Sequence, residues 1–233
     1  MCCVKTVPEE RLGELVVAAL VRAGAAEPAA RAYARSMVAC ERDGARNHGL
    51  VRLPALVRSL RSGWIAGDAR PAVVSDAAAA VVVDGGNGFT QPAIDLVRDR
   101  LVEKARSAGS AVLHIRNAHH FSALWPDIEP FAEEGLVAFT CVNSRRRMAL
   151  WGGTEPVVGT SALAFAAPRE GEHLFVWDQS SSVMAQGEVL LARTEGREVP
   201  PGVGVDRDGL PSTDPAAILD GRALLPFGEH KGA

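Results

Sequence analysis

From Pro71 onward, short apolar runs alternate with helical stretches, and this alternation constrains the fold more than any other feature of the chain. Ala72-Val73-Val74 and Ala79-Ala80-Val81-Val82-Val83 read as a hairpin, with Asp84-Gly85-Gly86-Asn87-Gly88 as the turn after it. A helix is predicted from Gln91 to Ala108, stopped by Gly109, and then a strand over Ala111–Ile115. A helix around Asp127–Glu134 leads into a strand over Leu136–Thr140. Strands near Ala162–Ala166 and His173–Trp177 and a helix near Gly187–Arg193 come next, and the Pro/Gly-rich stretch from Pro200 to Pro215 reads as irregular. Helices interleaved with apolar strands predict an α/β class with a substantial sheet.

Ahead of that region lies a helical module. Thr6-Val7-Pro8-Glu9 has the form of a capping box, and Leu12, Leu15, Val16, Ala19 and Leu20 form one stripe before Gly24. Pro28 opens a second helix that runs to about Asp43, with Gly44 as its stop. Asn47 is a suitable N-cap for a third helix reaching about Arg61. The expected division is therefore a helical module over residues 1–68, on the substrate side, and an α/β domain over 69–233.

Charge and composition exclude several classes of function. The formal charge of −3 leaves no overall basic face for nucleic acid. No apolar run has transmembrane length, and Met1-Cys2-Cys3-Val4-Lys5 lacks the apolar core of a signal peptide, so the expected location is the cytoplasm. Cys2, Cys3, Cys40 and Cys141 make no ligand pattern and are expected as free thiols, and no metal is expected.

Four stretches can carry chemistry. His48 and Arg52, four apart on the predicted third helix, would present an imidazole and a guanidinium on one face. The planar fork of Arg52 suits a carboxylate, and His48 can hand a proton to an adjacent carbonyl; a solvated surface pair is the bland account of such spacing. Asn117-Ala118-His119-His120-Phe121-Ser122 is placed just past a strand end, where α/β ligands lie; either histidine could serve as acid or base, or both could be loop histidines in water. Asn143-Ser144-Arg145-Arg146-Arg147 also comes after a strand, and its arginines suit an anionic ligand or simply a solvated loop. Asp178, closing a strand ahead of Gln179-Ser180-Ser181-Ser182, can wrap a ribose or diphosphate, or form a surface turn. Gly85-Gly86-Asn87-Gly88 lacks the GxGxxG spacing of a Rossmann unit, and no GxxxxGK[ST] loop is present.

Six stretches in order, NHGLVRLP (Asn47–Pro54), RNAHHFS (Arg116–Ser122), VNSRRRMALWGG (Val142–Gly153), VGTSALAFAAP (Val158–Pro168), PSTDPAAIL (Pro211–Leu219) and LLPFGEHKG (Leu224–Gly232), resemble the malate/L-lactate dehydrogenase family of the second type. That family also holds ureidoglycolate and sulfolactate dehydrogenases and reductases of cyclic imino acids such as piperideine-2-carboxylate. The resemblance implies a non-Rossmann nicotinamide-binding mixed sheet with helices, and a homodimer; a complex with a second polypeptide is the alternative expected from the shortened end of the chain. It also implies roles for individual residues. His48 matches the proton-donating histidine, Arg52 the carboxylate arginine, and His120 a second active-site histidine that serves as acid/base in some members. Asp178 matches the aspartate of the cofactor strand and stands with His48 and His120 in the expected catalytic set. Arg147 joins Arg52 and His48 on the substrate side. Asn143, Thr160, Asp178, Gln179, Ser180, Ser181, Ser182, His120, His230 and Lys231 form the expected cofactor set, for NAD or NADP.

There are departures from the family pattern. Gly159-Thr160-Ser161-Ala162 stands where the family has GTNP, and His120-Phe121-Ser122 where it has HFG. Members continue past HKG with a long helical segment, so the chain is expected to be a shortened member, with apolar surface exposed around Leu224, Leu225 and Phe227. The expected function is hydride transfer between NAD(P)H and C2 of a 2-oxo acid or a cyclic 2-imino acid. The alternative is a non-redox descendant that binds or transforms a small acid with a degraded cofactor site.

Overall fold

The computed structural model describes residues 6–171, 173–221 and 223–231, with Lys231 described by its backbone alone. Cys2, Cys3, Gly232 and the side chain of Lys231 therefore lie outside the described residues. The chain divides into two compact units, Met1–Leu136 and Val137–Ala233. The break is not at residue 68, because the helical module shares a core with later residues of the first unit: Phe89 packs in one cluster with Leu20, Tyr33, Met37 and Leu56.

The first unit opens with α1 (Glu9–Arg22), α2 (Glu27–Arg42), two 3-10 turns (Arg46–His48 and Leu50–Arg52) and α3 (Leu53–Arg61). The capping box does not form: Pro8 is the cap residue of α1 and no side chain bonds there, since the helix begins only at Glu9. The third helix also starts later than predicted. Asn47 lies inside the first 3-10 turn, Gly49 separates the two turns, and α3 begins at Leu53, ahead of Pro54. Alanines dominate the buried face of α2, with Ala29, Ala30 and Ala34 around Tyr33 and Met37, which lets α1 and α2 approach closely.

β1 (Ala72–Ala77) and β2 (Ala80–Phe89) form the expected antiparallel hairpin, α4 (Gln91–Ala108) comes next, and β3 (Val112–His119) pairs parallel with β2. Val81 and Val83 alternate inward on β2 and meet Ala93 and Val97 of α4. The predicted glycine turn is instead a bulged continuation of β2, where the pairing with β3 shifts between Asp84 and Gly88. Those glycines allow close approach: a Cβ on Gly85 would fall 2.6 Å from that of Ala118, and one on Gly88 2.5 Å from that of Ala69. α5 (Trp125–Glu133) closes this unit.

In the second unit β4 (Ala138–Cys141), β5 (Arg146–Met148), β6 (Val158–Gly159), β7 (Leu163–Ala167) and β8 (Phe175–Gln179) come first. After them stand α6 (Gln186–Glu195), β9 (Gly204–Val205), β10 (Pro211–Ser212), α7 (Pro215–Asp220), β11 (Ala223–Leu224) and a 3-10 turn, Glu229–Lys231. One sheet runs β4-β7-β8, all antiparallel, and a second runs β10-β9-β11-β5-β6. On the first, Ala164 and Ala166 are buried while Phe139, Phe175 and Trp177 on the opposite face are exposed. The stretch expected to be irregular supplies β9 and β10, because two-residue strands carry no alternation to read. Leu224, expected at the surface, is buried with Val189, Val203 and Ile218; Phe227 is exposed.

Candidate active site

The chemistry of the first unit gathers where the 3-10 corner, α2, the end of β3 and the start of α5 meet. Arg52 is half-buried, and its Nε donates to the carbonyl of Asn47 at 2.8 Å. That bond folds the side chain back over its own corner and leaves the terminal nitrogens as the fork. Among the described residues no carboxylate pairs with Arg52, so a half-buried guanidinium stands there without an anion. Burial draws its pKa down, and the nearby Tyr33 phenol opposes that shift.

His48 and Arg52 do not share a helix face as the spacing predicted, yet the two turns still bring them within each other's field. The His48 pKa is pushed down to about 4, first by burial and then by the positive charge of Arg52 and by His120. At neutral pH His48 is therefore an uncharged imidazole. The corner is held by Glu41 of α2, whose Oε1 accepts from the backbone N–H of Leu50 at 2.6 Å.

His120 differs in every respect. Its Nε2 lies 2.6 Å from Oδ2 of Asp127, and their side chains are only 10% and 8% exposed. A carboxylate at that distance makes Nε2 the protonated nitrogen of the ring and leaves Nδ1 for other partners. Gln91 Nε2 approaches Asp127 at 3.4 and 3.5 Å, and Ser36 Oγ at 3.5 Å. Cys40 Sγ and Ser122 Oγ are 3.6 Å apart beside them. The Tyr33 hydroxyl and Gln91 Oε1 are buried with no hydrogen-bond partner among the described residues. Burial also pushes the Tyr33 phenol up.

His119 is not a histidine in water. It ends β3, its Nε2 meets Asn87 Oδ1 at 2.8 Å, and its ring stacks on Phe121, which ties β3 to the bulge of β2. Sequence reasoning missed Asp127, Gln91, Tyr33, Ser36 and Cys40. The signal was there for α2, where Tyr33, Ser36 and Cys40 are spaced at three and four and share a face. For Asp127 the signal was only an acid in a helix's first turn.

In the second unit the expected cofactor residues partly assemble. Ser181 donates its N–H to Thr160 O at 2.9 Å and its hydroxyl to Ser161 O at 3.1 Å. Ser180 and Ser182 bond to each other, and Ser182 donates to Met184 O. The bridge Ser182–Pro226 brings the chain just before His230 alongside. Asp178 and Gln179 are the last two residues of β8, so Asp178 lies within the strand. Asn143 and Arg147 are exposed, with Arg147 on β5, and His230 is exposed in the last 3-10 turn.

A family model described as malate/L-lactate dehydrogenase matches residues 7–233. The chain belongs to the malate/L-lactate dehydrogenase family. It is therefore an oxidoreductase, and relatives within the family are similar over nearly all of it. A Delta(1)-pyrroline-2-carboxylate/Delta(1)-piperideine-2-carboxylate reductase from Pseudomonas putida is 50% identical over 97% of this chain and 67% of the relative. The crystal structure of delta1-piperideine-2-carboxylate reductase from Pseudomonas syringae pv. tomato superposes with a TM-score of 0.93 at 49% identity, covering 98% of this chain and 69% of that one. A (2R)-3-sulfolactate dehydrogenase (NADP(+)) from Chromohalobacter salexigens is 40% identical over 94% of this chain and 65% of the relative. No helix among the described residues is long and apolar enough to cross a membrane.

Proposed function

We propose that this oxidoreductase reduces a cyclic 2-imino acid of the pyrroline- or piperideine-2-carboxylate type, and 2-oxo acids of similar size, at the expense of NAD(P)H. The single observation that carries the reading is Arg52, a half-buried guanidinium with no anion among the described residues. A substrate carboxylate supplies the missing charge in two bonds to the fork. His48, uncharged at working pH, is suited to hydrogen-bond the substrate rather than to store a proton. His120 on Asp127 takes the acid/base role, so the proton-donor assignment passes from His48 to His120. The likeness to pyrroline- and piperideine-2-carboxylate reductases at 49–50% identity supports the imine over other substrates of this chemistry.

The cofactor is NAD or NADP, and the donor set of the second unit fits such a group. Asp178 offers a carboxylate for ribose hydroxyls, and Thr160, Ser180, Ser181 and Ser182 offer hydroxyls and amides on a loop fixed by its own bonds. The exposed Arg145 and Arg146 suit its phosphates, while Arg147, also exposed, stays in the substrate set; Asn143, Gln179 and His230 complete the cofactor set. When bound, the reduced nicotinamide supplies the hydride. The protein's own work is to hold the carboxylate, shield the reacting carbon from water and manage one proton. We extend the reading to a cytoplasmic location and to a homodimer, the latter supported by the exposed aromatic face of the β4-β7-β8 sheet.

The test is to follow NADPH and NADH oxidation with Δ1-piperideine-2-carboxylate, pyruvate and 3-sulfopyruvate, with light scattering for the oligomer. Turnover fastest with the imine is expected. A protein that binds these acids but neither nicotinamide would belong instead to the non-redox descendant.

A further inference from the structure

Asp127 has one strong partner. Ser36 and Gln91 stand at the outer limit of hydrogen-bond distance, 3.4 to 3.5 Å, whereas His120 Nε2 is at 2.6 Å. A carboxylate this enclosed balances the positive charge of the ring whenever both ring nitrogens carry protons, and it holds Nε2 so that Nδ1 is the nitrogen able to exchange a proton with a ligand. Among the described residues no second carboxylate pairs with His120: His48 and Arg52 face the pocket from the 3-10 corner, Tyr33 and Cys40 from α2, and Gln91 from α4, while the Glu41 carboxylate is engaged by the backbone of Leu50.

The two substrate chemistries open to the site make unequal demands on that pair. When C2 of a 2-oxo acid receives a hydride, the dihydronicotinamide is oxidised and the C=O π pair moves onto oxygen. That oxygen must form an O–H bond. The proton comes from Nδ1 of His120, the N–H electron pair stays on the ring, and Nε2–H remains on Asp127. A cyclic imine in its protonated form already has its N–H. On hydride arrival the C=N π pair moves onto nitrogen and cancels its charge, and no bond to the ring breaks.

We propose that Asp127 is a positioning residue whose weight depends on the substrate: reduction of a 2-oxo acid requires it to support proton donation by His120, while reduction of a protonated cyclic imine needs it only for geometry. This inference rests on the hydride-transfer reading of the site.

Asp127→Asn keeps an oxygen acceptor for Nε2–H and nearly the same volume but removes the charge. With pyruvate, kcat is expected to fall by about 10²-fold, with KM within about threefold. With Δ1-piperideine-2-carboxylate at a pH where the imine is protonated, kcat should fall by less than about tenfold. Equal losses on both substrates overturn the inference, as does a wild type that reduces the imine but no 2-oxo acid. If the variant melts far below the wild type, solvent isotope effects on the wild type decide: kcat in deuterated water should drop more for the oxo acid than for the imine, and equal drops overturn the inference. A wild type that oxidises NADPH and NADH with neither substrate fails the functional reading itself, a result distinct from equal losses.

Discussion

Two histidines of the first unit have opposite surroundings within one small region. His48 sits on a 3-10 corner next to a guanidinium, with no carboxylate paired to its ring among the described residues, and burial keeps it neutral. His120 comes directly after β3, and its ring is held by the first turn of α5 through Asp127. The comparison teaches that a histidine's role is set by what faces its second nitrogen. One ring can only share hydrogen bonds at neutral pH; the other has a partner that balances a proton.

The sharpest way to break this contrast is to remove each ring in turn. With a 2-oxo acid, whose reduction takes a proton from the ring, His120→Ala is expected to lower kcat by roughly 10²–10⁴-fold, measured as NADPH oxidation at saturating pyruvate. His48→Ala should cost less than about tenfold. Reversed magnitudes would return the proton to His48.

Next in size is the clamp. Arg52→Lys keeps a charge but loses the fork, so KM for a carboxylate substrate should rise by about ten- to a hundredfold while kcat changes little. An unchanged KM for every acid tested would take Arg52 out of the substrate site.

Acid stability sharpens the contrast from another side. The pKa of His48 falls from 6.5 unfolded to about 4 folded, so the unfolded chain binds the extra proton first. Nothing is lost above pH 6.5. Stability declines as pH drops from 6.5 towards 4, by about 3 kcal/mol at most from this residue. His48→Gln should flatten that part of a melting-temperature curve, and a curve as steep as that of wild type would show that the neutral ring is not the cause.

The smallest effect is expected at Tyr33. Its hydroxyl is buried with no partner among the described residues, so Tyr33→Phe should leave stability unchanged or raise it by up to about 1 kcal/mol in a urea titration. A loss of more than that would mean the hydroxyl is satisfied after all.

The chain alone made legible whatever repeats locally. The stripe of α1 through Leu12, Val16 and Leu20 (though not Leu15, which is exposed), the span of α4 from Gln91 to Ala108 and the hairpin of β1 and β2 can be read from periodicity and from Gly109 as a stop. Short motifs also marked His48, Arg52 and His120. Tertiary structure decided the rest. The bulge at Gly85–Gly88 exists because β3 and Ala69 press against backbone that has no side chain, and local sequence there looks like any turn. The two-residue strands β9, β10 and β11 are strands only because each found a partner. Asp127 acquired its place in the same way. Nothing in Trp125-Pro126-Asp127 distinguishes it from a surface acid until α5 packs near α2 and α4 and sets it against His120. Periodicity records which face of an element is apolar. Which polar groups end up within hydrogen-bond reach of each other depends on contacts between distant segments, and that information is in the packing.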